Sequence, residues 1–179
     1  MRQKSLLLAI ASIALMGSFS TYAEDHEHMD HQKHMASMSG DQRQLADYPP
    51  DIRVHFLSNM REHLQALSDI TAAMADGQYE IAASIAEAKL GMNSTSAAGC
   101  KMDNGLEMQD SKPETPEQKM NKLMPPLMKA AGVEMHKAAS DFAIEVTKVS
   151  KTGDSEPALS ALSRVTQRCI SCHASFRVQ

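Results

Sequence analysis

The chain has no stretch of alternating apolar and polar residues that competes with its helical spacings, which argues against a sheet protein. After the first two dozen residues it has no apolar run long enough to span a bilayer. It also lacks an excess of positive charge. Lys and Arg number 18 against 22 Asp and Glu, for a formal charge of −4, and such a surface argues against nucleic acid as a partner. No acid–base pair or nucleophile constellation stands out, so nothing marks the chain as an enzyme. Cysteine is scarce, with three in 179 residues.

What is present begins with an export signal. Arg2 and Lys4 form a positive start, and Leu6 to Met16 is an apolar segment too short for a membrane span. Thr21-Tyr22-Ala23 places small residues at the two critical positions, so cleavage is expected after Ala23. No cysteine stands at that junction, which argues against a lipid anchor. The expected mature protein is periplasmic. Loss of Arg2 and Lys4 takes its charge from −4 to −6, a surface suited to a basic partner, although most of these charges are the solvated faces of helices.

Residues 24–48 are expected to form a disordered tail. His26, His28, Met29, His31, His34, Met35 and Met38 crowd into its first part, beside Asp25 and Asp30. The tract has no apolar stripe. Imidazole with thioether suits copper, Cu(I) above all, although a plain solvated tail would have the same composition.

The character changes at Pro49-Pro50. Ile52, Phe56, Met60, His63, Leu67, Ile70 and Met74 recur every three or four residues, one face of a long helix capped by Asp51 and stopped at Gly77. A second helix is expected from Gln78 to Met92, with Ile81, Ile85 and Leu90 inward. Gly91 to Pro116 reads as a loop of unusual length, expected to cover a cofactor edge or the end of a bundle. Lys119 to Leu123 is a short piece before Pro125-Pro126. A third long helix opens at Pro126 and carries Leu127, Ala131, Met135, Ala138, Phe142, Val146 and Val149 to Gly153. The last helix, capped by Asp154 or Ser155, carries Leu159, Leu162, Val165, Cys169, Cys172 and Phe176. These spacings predict an all-α chain, an antiparallel four-helix bundle over residues 49–179.

Cys169-Ile170-Ser171-Cys172-His173 is the most specific segment. C-x-x-C-H is the spacing for covalent attachment of a c-type haem. Two thiols three positions apart share a helix face and can add across the porphyrin vinyl groups, while the next imidazole reaches the iron. A dithiol redox pair would want a βαβ context, absent here, and a zinc site would need ligands such as Cys100 and a distant histidine. If haem takes two cysteines, Cys100 remains a free thiol, either buried or paired between chains.

Four helices with this motif in the last one resemble the class II c-type cytochromes, the cytochrome c-prime and cytochrome c-556 group. The ending Cys169-Ile-Ser-Cys172-His173-Ala-Ser-Phe176-Arg177 carries the resemblance most specifically. It implies that Cys169 and Cys172 hold the haem thioethers, that His173 is the proximal iron ligand, and that Arg177 sits near it. It implies a distal residue on the first helix, where Met60 matches the methionine of the low-spin members. His63, Met124, Met128 and Met135 are rivals. The family's propionate-binding arginine would fall at Phe56 in this chain. The resemblance further implies electron transfer, or gas binding if the iron is five-coordinate, and an association of two copies through the first two helices. Copper handling through the tail is the reading from another class.

Overall fold

The computed structural model describes residues 40–100 and 113–178. The expected signal segment and the His/Met-rich residues 24–38 lie outside these. Among the described residues the chain is mostly helical, as the spacings predict. Helix α1 (Pro50–Ala75) is followed by α2 (Tyr79–Ile85), which runs on into a π turn at Ala86–Leu90. A 3-10 turn spans Ser96–Cys100, and α3 (Pro116–Leu123), α4 (Pro126–Thr152) and α5 (Glu156–Ser175) follow. Among the described residues no helix is long and apolar enough to cross a membrane.

The helix ends follow local chemistry. Proline occupies the first turn of α1, α3, α4 and α5, where its missing N–H costs nothing. Asp51 lies inside α1 rather than capping it, because Pro49 already sets the extended entry and holds the cap position. Thr115 caps α3 in a reciprocal box with Gln118, an N-terminus one turn earlier than the sequence suggested. Helix α4 stops where Gly153 turns left-handed at φ 71°. At the start of α5 the Asp154 carboxylate accepts from the Glu156 N–H at 3.0 Å, doing the capping that Ser155 does not.

Ile70, Leu90, Phe142, Val146 and Val165 are buried in one contiguous core with alanines of α1, α2, α4 and α5. Three expected core residues face out instead: Ile81, Leu127 and Leu159 are 51, 73 and 53 % exposed. Ala82 and Ala83 on α2, Ala86 in the π turn, and Ala158 and Ala161 on α5 take the inward positions. A methyl side chain lets helix axes approach closely, so size rather than hydrophobicity set those faces.

Among the described residues there are also two strands that the sequence did not suggest. Strand β1 (Gln44–Ala46) pairs in parallel with β2 (Phe176–Val178), joining the chain before α1 to the end of α5. Three residues carry no readable alternation, and their partner is far away in sequence. Ala46 and Tyr48 are buried there, so packed structure begins before the boundary expected at Pro49. Tyr48, Ile52, Phe56, Cys100, Met120, Met124, Met128 and Phe176 form a second core.

Candidate functional site

Against the second core lies a cavity of about 770 Å³, within the ordinary range for small-molecule sites. Cys169, Cys172 and His173 line it from the last turns of α5. Spacings of three and four residues put all three on one face. Burial pushes both thiols up from their ordinary pKa, which favours the neutral form. The end of α5 is held in place by the β1–β2 pairing and by Arg43, whose Nη1 donates to the His173 carbonyl at 3.2 Å. That guanidinium also sits favourably at the negative end of the helix.

The facing wall comes from α1 and α4. Phe56, Met60 and His63 contribute from α1, and Met128, Met135 and His136 from α4. Met60 is half-buried in this wall, while Met124, Met128 and Met135 are buried. All the expected rival ligands therefore line one cavity, and Arg177 reaches it from β2. Leu57 and Leu64 on α1 and Ile170 on α5 line it while exposed, so its mouth opens between those helices. Arg43 and Arg168 add guanidinium groups to an otherwise largely apolar lining. The long segment after α2 folds onto this region in part: Cys100, at the end of the 3-10 turn, lines the cavity. Its thiol is pushed up to about 11, chiefly by burial. A side chain at Gly132 on α4 would strike it, because a Cβ there would overlap the Cys100 sulfur.

Two imidazoles are buried in the wall. His63 and His136 are 8 and 1 % exposed, with ring centroids 5.7 Å apart in an edge-to-face arrangement. Burial and then the neighbouring His136 lower His63 to about 4. Burial also lowers His136, against a smaller opposing effect from its hydrogen bond to Leu90. Both rings are therefore neutral at neutral pH. His136 Nδ1 lies 2.7 Å from the Leu90 carbonyl, one of the orphan acceptors at the end of the π turn. His63 Nε2 lies 2.9 Å from Ser96 Oγ, which lies 3.2 Å from Ser94 Oγ.

Arg43, Arg168, Cys100, Gly132 and His136 did not stand out as wall residues in the sequence. For His136 a signal existed: it falls in step with Ala139, Ala143 and Val146, all buried on α4. The candidate copper ligands His26, His28, Met29, His31, His34 and Met35 lie outside the described residues. Among the described residues no group of three or more His, Cys, Asp or Glu side chains gathers as a metal site. No protein-family model, no curated protein and no solved structure matches this chain.

Proposed function

We propose that this protein is a periplasmic c-type cytochrome that carries electrons, an antiparallel four-helix bundle with haem held by α5. The observation that carries the reading is a single largely apolar cavity whose wall contains Cys169, Cys172 and His173 together. Such a lining suits a flat, mostly apolar macrocycle, and Arg43, Arg168 and Arg177 supply partners for its carboxylates. The bound group would supply the one-electron chemistry; the chain attaches it, ligates it and limits its exposure to water.

Each side chain then has a part. Cys169 and Cys172 form the thioethers. His173 is the proximal ligand, and the Arg43 contact to its carbonyl fixes the turn that carries it. Any second iron ligand would come from the facing wall of α1 and α4, where resemblance alone suggests Met60. Ligands on both sides would keep iron six-coordinate in both redox states, which limits reorganisation and favours electron transfer over gas binding. The open mouth beside Leu57, Leu64 and Ile170 gives a redox partner a short approach.

Covalent attachment is tested directly. The exported protein, made with a haem c maturation system, should keep its colour through denaturing electrophoresis and acid–acetone extraction. Cys169→Ala with Cys172→Ala should be colourless. Colour that persists in the double variant under denaturing conditions refutes thioether attachment at these cysteines.

A further inference from the structure

The hydrogen bonds around the two buried imidazoles fix their tautomers. A carbonyl only accepts, so His136 Nδ1 carries the proton given to Leu90, and the neutral ring has a bare Nε2. The second ring follows from proton counting. Ser94 Oγ donates its single proton to the Gly91 carbonyl at 2.7 Å. Ser96 must therefore donate in its contact with Ser94, which uses its only proton. Ser96 Oγ then accepts from His63, whose proton sits on Nε2 and whose bare nitrogen is Nδ1.

The two bare nitrogens are not equivalent. Nδ1 of His63 adjoins its own Cβ, so the helix backbone crowds anything broad that approaches it. Nε2 of His136 is at the far end of its ring. An imidazole that donates through one nitrogen to a backbone carbonyl and presents the other bare has the arrangement of a metal-ligating histidine, with ring orientation and basicity set from behind. Met60 offers a half-buried thioether on a flexible stem, which must be ordered before it can bind.

We propose that His136, through Nε2, is the sixth iron ligand opposite His173, and that Met60 is only a wall residue. This rests on the haem reading above and replaces the methionine that resemblance suggested. Both histidines line the same cavity, His173 from α5 and His136 from α4.

The test uses the exported, haem-loaded protein. The oxidised wild type should be low-spin and lack the weak far-red band of a methionine–iron bond. Met60→Leu should leave this spectrum unchanged. His136→Gly should lose the low-spin spectrum, and added free imidazole should restore it. A far-red band in the wild type that disappears in Met60→Leu would overturn the assignment, as would a high-spin wild type or an unchanged His136→Gly. Should His136→Gly fail to fold, the wild-type spectrum and Met60→Leu still decide. A protein without covalent colour would overturn the cytochrome reading itself, and this assignment with it.

Discussion

Replacing His63 with glutamine should make the protein less sensitive to acid. The ring is 8 % exposed, and burial lowers its pKa from an ordinary 6.5 to about 4. The unfolded chain therefore binds this proton more readily than the folded one, so acid favours unfolding. The stabilisation is fully present above the unfolded value and is lost as pH falls toward the folded one. One pKa unit corresponds to about 1.4 kcal/mol, so the total loss is about 3 kcal/mol, of which about 2 kcal/mol has gone by pH 5. Urea unfolding of haem-loaded wild type and His63→Gln, at several pH values from about 7.5 down to about 4.5, gives the two slopes. Glutamine loses some packing at every pH, so the readout is the difference in slope rather than in stability. Parallel curves for the two proteins would refute the reasoning, because His63 would then titrate alike folded and unfolded.

Three other outcomes follow from particular contacts. Gly132→Ala should destabilise by about 1 kcal/mol, with the clash against the Cys100 sulfur outweighing the helix-propensity gain. Cys100→Ala in the same chain should reverse most of that loss, and additive effects in a double-mutant cycle would argue against the contact. Asp154→Ala should cost about 1 kcal/mol in chemical denaturation, since the Glu156 N–H at the start of α5 loses its acceptor. Deleting residues 24–38 should abolish most Cu(I) binding in competition with a chelator and leave the visible spectrum unchanged; equal binding by both proteins would remove copper as a ligand of the tail.

The local signals were strong where they depended on a few neighbouring residues. Gly153, Pro126 and Pro157 bounded helices as expected, since backbone conformation there is set by the residue itself. The C-x-x-C-H spacing put two thiols and an imidazole on one face by helical geometry alone. Periodicity selected Phe56, His63, Ile70, Phe142 and Val146 correctly but misjudged Ile81, Leu127 and Leu159. A stripe of apolar residues tells which face can be buried; how near the neighbouring helix comes decides whether alanine or leucine fills it.

The sequence by itself determined a helical chain, its breaks, and a thiol–thiol–imidazole triplet at the end of the last helix. Tertiary structure alone brought β1 to β2, set Arg43 on the carbonyl of His173, and closed the cavity with Cys100 and His136. It also chose the tautomers of His63 and His136, through Ser96 and Leu90. Those partners lie 33 and 46 residues away along the chain. A proton on a ring nitrogen answers to whichever acceptor the fold puts beside it, and no local spacing encodes contacts at that range.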